Sequence, residues 1–236
     1  MRTFSPFIKA LAATSVALAA GLANAAISED FSAGAGGWQA VDLPGSGNYG
    51  SVSSTFSVTY FATGGSPGGY IRASDPSSNS FYFDAPGTFL GNLGGYQGGT
   101  LAFDTYYTPN TAANAWRDDA DVLIYSGSQI LAWRAASNPG ASWTHVSTTL
   151  GVGQGWRVGS ITGAVATADN ISSVLGNVTA LRIRGEYVNG VTETTGLDNV
   201  AISAVPEPES WALLLAGIGL IGLRRRGAQA GSPTVA

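Results

Sequence analysis

The sequence predicts an all-β domain, a sandwich or barrel, with one short helix. Three observations carry that prediction. Short runs rich in aromatic and β-branched residues recur through the middle of the chain, as in Phe81-Tyr82-Phe83. Clusters of Gly, Pro, Asn and Ser separate them at roughly ten-residue spacing. Strand-like and helix-like segments do not alternate, which disfavours a parallel sheet flanked by helices.

The runs fall at 70–73, 81–83, 101–108, 122–125, 130–134, 143–150, 180–187 and 199–203. Between them lie turn segments such as Gly64-Gly65-Ser66-Pro67-Gly68-Gly69, Asp75-Pro76, Asn138-Pro139-Gly140 and Asn189-Gly190. Gly supplies the positive φ that turns require, while Asn and Pro pre-set their geometry. In Leu181-Arg182-Ile183-Arg184-Gly185-Glu186-Tyr187 the apolar residues share one face and the charged ones the other, so one side is expected to meet water. Val122 to Tyr125 shows no such alternation and reads as a central strand covered on both faces. A helix is expected over 168–175, with Thr167 or Asp169 as its cap and Gly176 at its end.

The chain has 236 residues, no Cys and one His. The stretch 26–204 contains six Arg, no Lys and thirteen Asp or Glu, a net charge of −7. This acidic, lysine-free balance argues against nucleic-acid binding. The absence of Cys excludes disulfides, thiolate metal sites and cysteine nucleophiles, and one His excludes a multi-histidine zinc site. A hydrophobic content of 44% argues against disorder. No internal repeat stands out.

Both ends read as addresses. Residues 1–25 fit a secretory signal peptide. Arg2 and Lys9 give a positive start, 10–21 is an uncharged Ala-rich run, and Ala23-Asn24-Ala25 fits the small-x-small rule, leaving Ala26 as the new first residue. At the other end, Val205-Pro206-Glu207-Pro208 precedes an uncharged segment over 211–223, and Arg224, Arg225 and Arg226 follow at once. As a helix, 211–223 would span roughly 20 Å, a short transmembrane segment with Trp211 at one interface and the arginines snorkelling at the other. The arginines would stay in the cytoplasm, placing 26–204 outside. In their order these three parts resemble the PEP-CTERM sorting signal of Gram-negative bacteria. That resemblance implies recognition by an exosortase-type membrane protease, cleavage near Pro206-Glu207-Pro208, and release to the surface or matrix of an exopolysaccharide producer. The segment 205–226 carries the signal and 227–236 is a tail.

The middle segment, 26–204, resembles the laminin B domain (laminin domain IV), a jelly-roll sandwich of galactose-binding-like type. Gly37-Trp38, Gly68-Gly69-Tyr70-Ile71, Leu101-Ala102-Phe103-Asp104, Asp121-Val122-Leu123-Ile124, Trp143 and 181–187 recur in its order. The Cys-rich modules that flank the eukaryotic version are missing, so only fold and a matrix-like setting carry over. Sandwiches of this type often hold a structural calcium where first and last strands meet. By that resemblance Asp30, or its neighbour Glu29, and Asp198 are the candidate ligands, because calcium takes six to eight oxygens.

Other chemistry is thinly represented. His145 lies in Ser142-Trp143-Thr144-His145-Val146-Ser147, sharing a face with Trp143, and no Gly-x-Ser-x-Gly elbow accompanies it. Asp118, Asp119 and Asp121 read as a solvated strand entry or a loose cation site, because glycosidase carboxyls need separation across a cleft and unlike environments. Trp133-Arg134 and Trp156-Arg157 read as Trp in the core with Arg outward. Trp116, in the polar stretch Asn114-Ala115-Trp116-Arg117-Asp118-Asp119, is the candidate sugar contact. The sequence thus predicts an exported, non-enzymatic surface or matrix protein that binds or organises exopolysaccharide. The alternatives are a purely structural, self-associating matrix protein and a jelly-roll polysaccharide-active enzyme.

Overall fold

Two antiparallel sheets face one another in a computed structural model that describes residues 24–44, 47, 49–77, 79–109, 118–188 and 190–205. The expected signal helix, apart from Asn24 and Ala25, and the expected C-terminal helix over 211–223 lie outside these residues. Among the described residues no helix is long and apolar enough to cross a membrane.

The first sheet contains β1 (Ile27–Glu29), β4 (Thr59–Gly65), β5 (Gly68–Ser74), β7 (Thr100–Thr108), β10 (Thr144–Thr149) and β13 (Thr194–Ser203). Its order is β10-β7-β13-β5-β4, with β1 also paired to β13. The second contains β2 (Gln39–Leu43), β3 (Ser54–Ser57), β6 (Ser80–Asp84), β8 (Val122–Ser126), β9 (Gln129–Trp133), β11 (Arg157–Val158) and β12 (Ala180–Arg184), in the order β11-β9-β8-β12-β6-β2-β3. The all-β sandwich with one short helix is therefore the architecture found.

Period-two patterning explains the core. Ile71, Phe103 and Leu197 point inward from the first sheet, and Phe81, Phe83, Ile124 and Ile183 meet them from the second, each at most 2% exposed. Trp38 plugs one end, edge-on to Phe31 at 6.2 Å and to Phe89 at 5.4 Å. The helix α1 (Ala168–Leu175) packs Ile171, Val174 and Leu175 inward. Thr167 caps it through a capping box with Asn170, and Gly176 follows as C-cap, as the sequence predicts.

The second sheet is covered on both faces. Leu43, Tyr49, Tyr82, Leu123 and Ala132 form a separate apolar cluster on its outer side. This fits the uninterrupted apolar run of β8, whose Val122 to Tyr125 are at most 6% exposed. It also overturns two expectations. The charged side of β12 and the residues just after it is mostly covered: Arg184 is 0% and Glu186 3% exposed, while Arg182 stays half-buried. Asp119 and Asp121 are not solvated either, at 0% and 2%. Arg184 Nη1 lies 3.5 Å from Asp121 Oδ1, and its guanidinium sits 4.9 Å above the Tyr187 ring. Asp119 accepts from the Tyr49 hydroxyl at 3.1 Å and from Ser80 Oγ. A buried charge survives only with such partners, and removing one partner of a buried pair typically costs about 3–5 kcal/mol.

Beyond β12 the chain reaches a second buried acidic region. Glu193 accepts the N–H groups of Tyr187 and Val188, the latter at 2.7 Å. Burial, with Asp75 and Glu193 nearby, pushes the Glu186 carboxyl up to about 8, and burial pushes Glu193 up to about 7. A carboxyl raised in the folded state stabilises it fully below the ordinary Glu value and ceases to do so as pH rises through the raised value. The melting temperature should therefore fall between pH 5 and pH 8.5, and Glu186→Gln should flatten that fall. A parallel curve for the variant in a calorimetric pH series would contradict this account.

Candidate functional site

The last strand carries an irregularity at its midpoint. β13 pairs with β7 in register at Asp198↔Asp104 and resumes at Ala201↔Ala102, so two residues of β13 oppose one of β7. This is a β-bulge, a device that re-aims side chains. At the same point β13 changes its other neighbour: Thr194 to Leu197 pair with β5, and Val200 to Ile202 pair with β1. Asn199 occupies the bulge at φ 50°, a left-handed conformation that Asn tolerates better than most residues.

The bulge gathers a polar cluster. Asn199 Nδ2 donates to Asp104 Oδ2 at 2.9 Å and to the Ser66 carbonyl at 2.5 Å. Asp198 accepts the Ser66 N–H at 2.6 Å and the Asn199 N–H at 2.7 Å. His145 Nδ1 lies 2.7 Å from Asp104 Oδ1, with its side chain 67% exposed over a mostly covered Asp104. Burial pushes the Asp198 carboxyl up, and the like charges of Asp104 and Asp30 add to that rise. Gly65 faces the Asp198 carboxylate so closely that a Cβ there would lie 2.5 Å from Oδ2.

Asp30 and Asp198, the residues singled out for calcium, thus share one electrostatic neighbourhood where β1 meets β13. Their settings differ. Asp198 is 0% exposed, whereas Asp30 is exposed and accepts the Ser32 N–H at 2.9 Å, which holds its carboxyl below the ordinary range. Glu29 accepts the Phe31 N–H at 2.9 Å. Among the described residues no three His, Asp or Glu side chains converge tightly enough to hold a metal by themselves. Trp133 and Trp156 are buried at 8% and 2%, with Arg134 exposed. Ala25 and Ala26 are exposed, and the Ala25 carbonyl accepts the Tyr96 hydroxyl at 2.6 Å. Trp116, Pro206, Glu207, Pro208 and Arg224 to Arg226 lie outside the described residues. Asp104, His145 and Asn199 were not joined by sequence reasoning; they meet through strand register, and the Asp198-Asn199 step between Leu197 and Val200 is their only local trace.

The model of the laminin B (Domain IV) family matches residues 82–212, more than half of the chain. The chain belongs to the laminin B family. A second model, the PEP-CTERM protein-sorting motif, matches residues 204–226 and implies an exported, exosortase-processed protein. No curated protein matches. Among solved structures, the L4b domain of human laminin alpha-2 superposes with a TM-score of 0.60 at 13% identity, covering 77% of this chain and 98% of that one. CtCBM11 in solution gives a TM-score of 0.45 at 13% identity over 80% of this chain and all of its own. The family 11 carbohydrate-binding module of cellulosomal cellulase Lic26A-Cel5E of Clostridium thermocellum gives 0.39 at 11% over 80% and 92%.

The two aspartates should respond differently to mutation. Asp198→Ala strands two backbone donors and is expected to cost this laminin B domain about 2–4 kcal/mol. Asp30→Ala, at the surface, should leave stability nearly unchanged. Urea denaturation of both variants checks this, and equal effects would contradict it.

Proposed function

We propose that the protein is an exported, non-enzymatic component of the cell surface or extracellular matrix that is processed by an exosortase-type protease and binds or organises exopolysaccharide. The observation that carries this reading is the sorting motif, whose match begins at residue 204, immediately after β13 ends at Ser203. The laminin B membership supports a matrix setting and a non-catalytic body. The His145-Asp104 pair is completed by Asn199, so that each Asp104 oxygen is engaged by a strand neighbour. The intact mass of protein from a host with an active exosortase should lack the segment after the Pro-Glu-Pro motif, while an exosortase-deleted host should retain it. An uncut C-terminus in both would overturn the sorting reading.

Calcium belongs to the proposal as a structural ion between Asp30 and Asp198. The crowding of Asp198 by Asp104 and Asp30 is relieved by a cation, and this supports the electrostatic side of the fit. Two carboxylates fall short of six to eight oxygens, so backbone carbonyls and water would supply the remainder. Calcium should raise the melting temperature of the wild type and of a Glu186→Gln control but not of Asp198→Asn. No shift in the wild type would remove the ion from the proposal.

A further inference from the structure

The outer face of the first sheet carries side chains unlike those of an ordinary solvated sheet. Cα partners run Tyr106↔Gly196, Gly196↔Arg72 and Arg72↔Thr59, and Trp143, one residue before the Thr144↔Thr105 pair, extends the row to β10. Two residues along each strand, on the same face, lies the row His145↔Asp104↔Asp198, continued by Tyr70↔Phe61. Across five strands these rows span roughly 19 Å.

The rings are locked in place. Trp143 meets Tyr106 at 4.7 Å and Tyr70 at 5.3 Å, both edge-on, and its Nε1 donates to the Gly64 carbonyl at 3.0 Å. Phe61 stacks on Tyr70 at 5.0 Å, and the Arg72 guanidinium lies 4.4 Å above Phe61. Gly196 makes this possible: a Cβ there would sit 2.2 Å from Tyr106 Cε1, so the tyrosine ring lies across the backbone of β13. Burial, with Tyr70 beside it, pushes the Tyr106 hydroxyl up to about 12. Trp143, Tyr106, Arg72 and Phe61 stay half-buried rather than covered.

We propose that this face is a binding platform for a neutral polysaccharide strand lying across the strands of the sheet. The proposal rests on the polysaccharide-binding reading above and gives it a location. Pyranose rings present C–H faces that stack on aromatic rings and hydroxyl edges that need hydrogen-bonding groups, and the two rows hold both kinds of group. The middle of the second row is His145, Asp104 and Asp198, and charged side chains are depleted from the core of protein–protein interfaces, so the face does not suit a second copy. Charge decides between neutral and acidic polymers. Asp104 and Asp198 spend their oxygens on Asn199, His145 and Ser66, and a domain of net charge −7 repels a polyanion.

The test measures binding of the full-length protein to soluble neutral glucans, mannans and galactans, with polygalacturonate as the acidic arm, by affinity electrophoresis and calorimetry. At least one neutral polymer should bind with little salt dependence. Trp143→Ala and Tyr106→Ala should each weaken it tenfold or more, and Trp143→Phe should retain part of the affinity with the fold intact. Gly196→Ala, which removes no ring but displaces Tyr106, should weaken binding in the same direction. Undiminished binding by folded Trp143→Ala and Tyr106→Ala places the site elsewhere and leaves the polysaccharide reading standing. Failure of the wild type to bind any polymer removes that reading and the platform together. Binding of polygalacturonate alone overturns the neutral ligand, and self-association lost on Trp143→Ala without glycan binding overturns the platform in favour of a second copy.

Discussion

The architecture depends on the last strand being an inner one. β13 is hydrogen-bonded to β7 along most of its length, to β5 on its other side in its first half, and to β1 in its second. Half of the sandwich is therefore incomplete until the final residues of the domain are in place. Such non-local pairing is entropically expensive to form and slow, and it leaves sheet edges open while the chain waits. The bulge at Asn199 lets one strand serve three partners, because the added residue absorbs the change of neighbour from β5 to β1.

That same bulge concentrates polar groups. The side chains of Asp198 and Asn199 cannot enter the core and are satisfied instead by Ser66 and Asp104, from segments more than ninety residues away in sequence. The cluster is thus a product of topology, and its hydrogen bonds fasten the turn before β5 to β7 and β13. The rest of the face repeats this logic. Gly196, with no side chain, yields its space to Tyr106, and an apolar cross-strand contact replaces a solvated residue in the middle of the sheet.

Much of the fold was legible because β-branched and aromatic runs of the right length are hard to satisfy otherwise. The double burial of β8 followed from its lack of alternation. The N-terminal strands were harder to read: β3 is Ser-Thr-Phe-Ser and β4 is rich in Thr and Gly, weak patterns that become strands only because β2 and β5 offer an edge. The burial of Arg184 and Asp121 was hidden for a different reason. Their partnership spans sixty-three positions, and a charged residue beside an apolar one looks the same from the sequence whether it faces water or a second layer of side chains. Trp143, Tyr106 and Arg72 were each visible as strand residues, but only register sets them side by side.

Antiparallel pairing of Ile27 with Ile202 brings the start and finish of the domain together at one pole. Gly196 lies nine residues back along the strand from Val205, roughly 30 Å distant. Within residues 24–205, the row that holds Trp143 and Tyr106 therefore lies toward the opposite end of β13 from the paired ends of the domain.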